Sequence, residues 1–255
     1  MGNMIKKPIL YSYSRLNTYD SCGWKYKLNY VDKKYISINN IANLLGTLIH
    51  SVEENIAICL QRGEPINYEY WKEYFMNVNI PKKSVYDTDG DIYGINILKE
   101  KYHDDFYAIN EKTGQSYFTK CMDYLNTGMY RLEKYMQAHP ELEIYDVEHY
   151  FEINFHGLII KGYIDRIFKN KETGEYIIED IKTKDHPFDQ KDLTTPLQFV
   201  IYSIALQKQL TLNDYPTHCT YDLPLCDMKQ EAGTKGFIAR GIKKLDKIIA
   251  GINAN

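Results

Sequence analysis

The sequence predicts an α/β fold in which a mixed central β-sheet is flanked by helices. Three runs rich in β-branched and aromatic residues, separated by short turns, lie at 146–155, 158–168 and 175–184. This pattern is typical of an antiparallel meander. A helix that begins at Thr195, a strand at 217–225 and a basic helix at 238–249 follow, and this alternation of helices and strands favours the α/β class.

Composition places the chain among folded globular proteins. Its 255 residues are 44% hydrophobic and 25% charged, which is ordinary for that class, and we interpret residues 1–255 as a single domain. No apolar run approaches the ~20 residues that span a membrane, and residues 1–10 lack the apolar core of a signal peptide. We therefore expect a cytoplasmic protein without a membrane partner.

The first long helical pattern starts near Asn39. Ile41, Leu45 and Leu48 repeat at the 3.6-residue spacing of an amphipathic helix, and His50 falls on the opposite face. A histidine on the polar face of a helix is usually solvated. A functional role for His50 therefore depends on residues that other elements bring to it.

Residues 63–140 predict a helical subdomain inserted into the main domain, where it would cover or steer the substrate. A loop rich in proline, aspartate and glycine at 77–94 precedes helical patterns at 95–110 and 116–139. The run His103-Asp104-Asp105 has no matching partners at helical spacing. We interpret it as a solvated helix face.

The second and third strands form a β-hairpin whose polar loop spans 170–174. Side chains of a strand alternate between its faces, so Asp180 and Lys182 share one face and Glu179 points to the other. Asp165 lies mid-strand on the partner, where a lone carboxylate requires a cation to offset its desolvation. A metal ion near Asp165 would supply that cation.

The first strand of the meander carries two glutamates, Glu148 and Glu152, on one face. Either side chain is placed to reach the metal as an auxiliary carboxylate. Carboxylates on a strand are more often exposed, and we expect exposure for both.

The helix after the hairpin carries a polar pair beside its apolar stripe. Thr195 is a favourable N-cap residue and Pro196 a favourable first helical residue. Gln198 and Tyr202 are spaced i,i+4 and therefore share one helix face.

In this order the residues resemble the RecB-like branch of the PD-(D/E)XK nuclease superfamily. The matching segments are Ser-x-Ser-x-Leu-x-x-Tyr-x-x-Cys at 12–22, Gly46-Thr47-Leu48-Ile49-His50, Gly162-Tyr163-Ile164-Asp165, Asp180-Ile181-Lys182 and Gln198-Phe199-Val200-Ile201-Tyr202. They cover both ends of the chain and leave the middle unmatched. The resemblance implies a restriction-endonuclease-like core.

The resemblance also implies a metal site. Asp165, Asp180, the backbone carbonyl of Ile181 and His50 would hold one or two Mg²⁺ or Mn²⁺ ions, hard cations that prefer oxygen ligands. Such an ion would lower the pKa of a bound water and offset negative charge in the transition state of phosphodiester hydrolysis.

Three further residues receive roles from the same resemblance. Lys182 would orient the attacking water or neutralise a phosphate oxygen. Gln198 and Tyr202 would position the substrate strand or the Lys182 ammonium.

Some members of this family bind an iron–sulfur cluster through one early cysteine and three late ones. Cys22 occupies the early position, but no cysteine follows Cys226. The five cysteines also contain no C-x-x-C pair. An iron–sulfur cluster is therefore either absent or removed with a truncated tail. We expect it to be absent and interpret Cys22 as a buried thiol.

A formal net charge of −3 is unusual for a protein that holds DNA, but the charge is unevenly distributed. Residues 1–36 carry a net charge of +5 and residues 235–247 carry +4. We predict that Arg15, Tyr19, Lys25 and Lys27 contact the substrate together with Gln198 and Tyr202. The tyrosines of the first 36 residues are placed either to stack on bases or to pack in the interior.

These features predict a metal-dependent DNA nuclease, most simply an exonuclease of DNA repair, recombination or phage DNA processing. Its partners would be single-stranded DNA or duplex ends, with a helicase or a recombination or annealing protein. Two alternatives stay open. One is a catalytically silent nucleic-acid-binding module of the same fold, and the other is a histidine–aspartate phosphohydrolase that uses His50, His103 and Asp104.

Overall fold

The structure, a computed structural model, describes residues 9–34, 40–81 and 91–254. The predicted loop at 77–94 and the basic segment at 1–36 lie partly outside these residues. The strands are β1 Leu10–Tyr11, β2 Asn79–Ile80, β3 Ile92–Tyr93, β4 Leu142–Phe155, β5 Leu158–Asn170, β6 Tyr176–Ile181, β7 His218–Leu223 and β8 Met228–Ala232.

Within the described ranges, six strands form one mixed sheet in the order β1-β5-β6-β7-β8, with β4 on the other edge of β5. The β4–β5, β5–β6 and β7–β8 pairs are antiparallel, whereas β1–β5 and β6–β7 are parallel. The predicted meander corresponds to β4, β5 and β6 and is confirmed. β2 and β3 form a separate ribbon.

One edge of β5 is shared between two strands. β1 pairs with Ile159 and Ile160, and β6 pairs with Arg166 and the three residues after it. Among the described strands, none pairs with residues 161–165 on this edge. The sheet therefore opens in the middle of β5, beside Asp165.

Helices cover both faces of the sheet. They are α1 Tyr13–Ser21, α2 Gly23–Tyr26, α3 Ile41–Arg62, α4 Tyr68–Asn77, α5 Ile95–Lys101, α6 His103–Tyr107, α7 Tyr117–Asn126, α8 Arg131–Ala138, α9 Gln190–Thr194, α10 Leu197–Gln209 and α11 Phe237–Asn253. The long helix predicted near Asn39 is α3. It begins after Asn40, whose side chain accepts a hydrogen bond from the Asn43 N–H, and it ends at Arg62, before Gly63, which adopts a left-handed φ of 67°.

Each face of the sheet has its own apolar core. One core contains Leu16 of α1, Phe199 of α10 and Leu245 of α11, packed against Ile164 of β5. The other core contains residues of α3 and of the helices between 63 and 140, such as Phe75, Phe106 and Tyr124. The predicted α/β architecture is confirmed, and the 63–140 helices share their core with α3.

Two local predictions are wrong. Thr195 does not cap a helix, because Pro196 has an extended backbone, α10 begins at Leu197, and the Thr195 hydroxyl accepts a hydrogen bond from Arg240 Nε at 3.2 Å. Cys22 is exposed rather than buried. Its Sγ accepts a hydrogen bond from the Lys25 N–H at 3.4 Å and thereby caps the short helix α2.

A buried ionic network joins α3 to the sheet. Arg166 of β5 is fully buried, and its guanidinium lies 3.3 Å from Glu179 Oε1, 3.6 Å from Glu53 Oε2 and 3.6 Å from Asp222 Oδ2. Burial disfavours the charged guanidinium, but the three carboxylates outweigh it and raise the pKa of Arg166. Three elements, α3, β6 and β7, therefore share one buried cation, to which Lys229 beside Glu179 and Arg131 beside Asp222 add positive charge.

Removing that cation should destabilise the fold severely. We expect Arg166→Met to lower the free energy of unfolding by ~3–5 kcal/mol, because three buried carboxylates lose their shared partner. Urea unfolding measures the change, and Lys161→Met on the exposed face of the same strand serves as the control, expected within ~0.5 kcal/mol of wild type. Equal stability of the two variants would contradict this account.

Candidate active site

Asp165 lies in the open part of the β5 edge. Its Oδ2 accepts a hydrogen bond from the Ile181 backbone N–H at 2.6 Å, so the carboxylate takes the place of a strand carbonyl. Its side chain is 12% exposed. The sequence prediction that Asp165 sits in a desolvating environment agrees with this geometry.

His50 approaches Asp165 from α3. The distance between His50 Nδ1 and Asp165 Oδ2 is 3.8 Å. The helix comes this close because Gly46, one turn earlier, has no side chain, and a Cβ there would lie 3.0 Å from Thr183 Oγ1. Burial lowers the pKa of His50, so its imidazole is neutral near pH 7 and offers a lone pair to a metal.

Glu148 is the site residue that sequence reasoning undervalued. It lies opposite Asp165, between the β4–β5 pairs Val147 with Arg166 and His149 with Ile164. Its backbone has a positive φ of 49°, a conformation that residues other than glycine rarely adopt. Glu148 is half-buried, so the expectation of exposure is wrong for it, whereas Glu152 is exposed as expected.

The ligand atoms of His50, Glu148 and Asp165 lie within 4.8 Å of one another. Burial raises the pKa of Asp165 to about 6, although Lys182 opposes the shift. Burial, together with the charges of Asp165 and Glu54, raises the pKa of Glu148 to about 8. Raised pKa values in neighbouring carboxylates indicate that too little positive charge surrounds them. Two carboxylate oxygens and one imidazole nitrogen form a set of ligands that suits a divalent cation.

Asp180 lies outside that group of three ligands. Its Oδ1 accepts a hydrogen bond from Gln198 Nε2 at 2.7 Å and lies 3.4 Å from the Tyr202 hydroxyl, while Oδ2 is paired with the Lys182 ammonium. Gln198 Nε2 also lies 2.7 Å from the Tyr202 hydroxyl. Gln198 and Tyr202 are both buried. They hold Asp180, and through it the ammonium of Lys182.

Lys182 follows directly after β6. Its backbone N–H donates to the Asp222 carbonyl at 2.8 Å, which continues the pairing with β7. Burial disfavours the charged ammonium, but Asp180 and Asp165 outweigh it and raise the pKa of Lys182. Lys182 is therefore a cation at neutral pH. Glu179, as predicted, points to the other face and joins Arg166 and Lys229.

The chain is similar to known proteins. A family model of the PD-(D/E)XK nuclease superfamily matches residues 11–253. The chain belongs to the PD-(D/E)XK nuclease superfamily. The gene 69 protein of Mycobacterium phage D29 is 26% identical over 223 residues, which cover 79% of this chain and 70% of the phage protein. The crystal structure of a candidate exonuclease from Eubacterium rectale, 11% identical, superposes with a TM-score of 0.46 over 95% of this chain and 81% of the other.

The residues of this PD-(D/E)XK nuclease that were predicted to contact the substrate near the amino terminus are separate from His50, Glu148 and Asp165, which form the metal-capable group. The Arg15 guanidinium lies over the rings of Tyr11, Tyr26 and Tyr30, at 4.6, 5.5 and 4.9 Å from their centroids. It also donates to the Leu10 carbonyl at 3.2 Å. Arg15 thus takes part in the packing of an aromatic cluster.

The other three predicted contacts lie around the same cluster. Tyr19 packs edge-on against Tyr26, with ring centroids 5.1 Å apart. Lys25 is exposed, and Lys27 pairs with Asp32 at 2.9 Å. Tyr19 and Lys27, with Arg15 and the 74% exposed Trp24, line a cleft of about 840 Å³.

The phosphohydrolase alternative required His50, His103 and Asp104 to converge. His103 and Asp104 are exposed by 73% and 104%, and neither belongs to the metal-capable group among the described residues. The solvated helix face predicted for them is confirmed.

Among the described helices, none combines the length and apolar character needed to cross a membrane.

Burial of Glu148 beside other carboxylates predicts a measurable pH dependence of stability. Its pKa is raised from 4.5 to about 8 in the folded protein, so between these values the folded state binds more protons than the unfolded state. Without metal, the stability of the wild type should therefore fall, relative to Glu148→Gln, as the pH rises from about 5 to 8. Above that range the difference should stay constant.

Urea unfolding in a chelating buffer at several pH values tests this expectation. The same measurement on Glu152→Gln, at an exposed glutamate of the same strand, is the matched control. Parallel stability curves for the wild type and Glu148→Gln would show that Glu148 titrates as an ordinary exposed carboxylate.

Proposed function

We propose that this nuclease is a divalent-metal-dependent deoxyribonuclease that acts as an exonuclease. The observation that carries the proposal is the convergence of His50, Glu148 and Asp165 beside the Asp180–Lys182 pair. Superfamily membership supports a nucleic-acid substrate, and the match to a phage protein is compatible with phage DNA processing. Exonuclease action comes from the RecB-like resemblance of the motifs.

The donor set fits Mg²⁺ or Mn²⁺. Asp165 and Glu148 would supply oxygens and His50 a neutral nitrogen, with Asp180 and the Ile181 carbonyl as the further ligands that the resemblance implies. A bound ion would supply Lewis acidity and a water of lowered pKa. The raised pKa values of Asp165 and Glu148 support the fit, because a cation would favour their charged forms.

Lys182 would act as a fixed cation rather than as a base. Its pKa is raised by Asp180 and Asp165, so it keeps its proton and can neutralise a phosphate oxygen or orient the attacking water. Asp180, held by Gln198 and Tyr202, fixes the ammonium in place. The buried positions of Gln198 and Tyr202 favour this positioning role over direct contact with the strand.

We also propose that basic residues of 1–36 hold the phosphate backbone. Lys25, Lys33 and Lys34 are exposed, whereas Lys27 shares its charge with Asp32. A helicase or a recombination or annealing protein in the cytoplasm would supply strand ends. The aromatic and cationic cleft beside Trp24 supports contact with DNA near this segment.

Replacing the charged groups of the site should abolish cleavage without unfolding the protein. We expect Asp165→Ala, Asp180→Ala and Lys182→Ala each to lower cleavage of linear DNA in Mg²⁺ or Mn²⁺ by at least about 100-fold, because each removes charge stabilisation of the transition state. End-labelled linear DNA and closed circles measure activity and mode. Thermal unfolding checks the fold.

Lys171→Ala, in the loop at the far end of the same hairpin, is the matched control and should cleave normally. Full activity of Lys182→Ala would refute its assignment. DNA binding without cleavage by the wild type in any divalent metal would favour the catalytically silent module. Cleavage of linear DNA alone supports exonuclease action, and cleavage of circles argues against it.

The salt dependence of binding tests the basic segment. Neutralising Lys25, Lys27, Lys33 and Lys34 with glutamine should flatten the plot of log Kd against log salt by up to ~0.7–0.9 per lost phosphate contact. Ca²⁺ replaces Mg²⁺ in the titration so that the probe survives. Lys171→Gln is the control, and an unchanged slope in the fourfold variant would move the DNA path to the 63–140 helices or to α11.

A further inference from the structure

An exposed pair of tyrosines lies beside the candidate metal site. Tyr163 of β5 is 54% exposed and Tyr150 of β4 is 45% exposed. The two residues are directly paired across the strands, and their ring centroids are 5.3 Å apart with an interplanar angle of 55°. Tyr163 precedes Asp165 by two residues, and Tyr150 follows Glu148 by two.

Tyr163 of this pair belongs to the same cleft as the site. Tyr163 lines a cleft of about 850 Å³ together with His50, Glu148 and Thr183. Two strand residues span about 7 Å, so the Tyr163 backbone lies within reach of a nucleotide whose phosphate is bound at Asp165. The Tyr163 ring therefore occupies the place where the adjoining sugar or base of a bound strand would lie, and the Tyr150 ring lies beside it.

Packing does not require aromatic rings at these positions. The opposite side of the β4–β5 ribbon faces the core through Phe151, Ile153 and Ile164, which are nearly fully buried. The outward neighbours Glu152 and Lys161 are polar and exposed. The fold would therefore accept polar residues at positions 150 and 163, and the two exposed aromatic rings beside the cleft are not explained by packing.

Negatively charged side chains around the two tyrosines indicate which kind of group would bind there. Glu148 and Glu54 line the cleft, and Glu152 accepts a hydrogen bond from the Tyr150 hydroxyl at 2.8 Å. Carboxylates repel phosphate groups in the absence of metal. An uncharged, flat group is favoured over the rings, and a nucleobase has this character.

We propose that Tyr163, supported by Tyr150, is a stacking platform for one unpaired base of the substrate strand, next to the scissile phosphate. The proposal rests on the proposed nuclease function and specifies its substrate. A base can stack on a protein ring only after it has left its own duplex stack. The site therefore selects strands that are unpaired at the point of cleavage.

The test uses oligonucleotides that carry 2-aminopurine in turn at each of several positions near one end, bound in Ca²⁺. Stacking quenches the fluorescence of this base. We expect quenching at one or two positions with wild type, its loss in Tyr163→Ala, and affinity weaker by about tenfold. Tyr163→Phe, which keeps the ring face, should match wild type within about twofold.

Tyr215→Ala, a tyrosine of similar exposure far from this cleft, is the matched control and should bind like wild type. Unchanged quenching and affinity in Tyr163→Ala would overturn the platform. Equal losses in Tyr163→Phe and Tyr163→Ala would also overturn it, because the hydroxyl rather than the ring face would then bind.

Cleavage in Mn²⁺ separates the platform from the proposed function. On an oligonucleotide with an abasic site at the quenched position, wild type and Tyr163→Ala should cleave equally, whereas on the intact strand wild type should be faster. An equal penalty on both substrates would overturn the platform. Quenching by a wild type that never cleaves would retain the platform and refute the nuclease assignment.

Discussion

The fully buried guanidinium of Arg166 sets the position of the candidate site. Its carboxylate partners are neighbours of site residues along the chain, since Glu53 follows His50 by three residues and Glu179 immediately precedes Asp180. Arg166 itself follows Asp165. Because a buried charge without partners is very costly, α3 and β6 must meet β5 in one arrangement, and that arrangement brings His50 to Asp165.

The same arrangement separates positive and negative charge. Behind the site, the charges of Lys229, Arg131 and Arg166 lower the pKa of Asp222 although burial alone would raise it, whereas burial raises the pKa of Glu53 to about 7 despite Arg166. On the site side, Lys182 is paired with Asp180, while Asp165 and Glu148 have raised pKa values. The protein is therefore less stable without metal than it would be with neutral residues there, which is a common cost of a binding site.

Much of this site follows from strand alternation. The period of two places Asp180 with Lys182 and sends Glu179 to the opposite face, and the i,i+4 spacing joins Gln198 to Tyr202. The place of Glu148 can also be inferred from the sequence. The two-residue turn between Phe155 and Leu158 sets a strand register that puts Glu148 opposite Asp165. Its positive φ, the exposure of Cys22 and the start of α10 after Pro196 depend on tertiary contacts that local patterns do not encode.

The open edge of β5 gives Asp165 a position that the rest of the strand lacks. β1 and β6 leave residues 161–165 of that edge without a strand partner among the described residues, and Asp165 fills part of the gap by accepting the Ile181 N–H. This hydrogen bond favours the charged carboxylate, whereas burial opposes it. The interruption that would weaken an ordinary strand pair thus leaves the Asp165 carboxylate free of a strand neighbour on this edge among the described residues, and it is here that the proposed metal ion and substrate strand would approach.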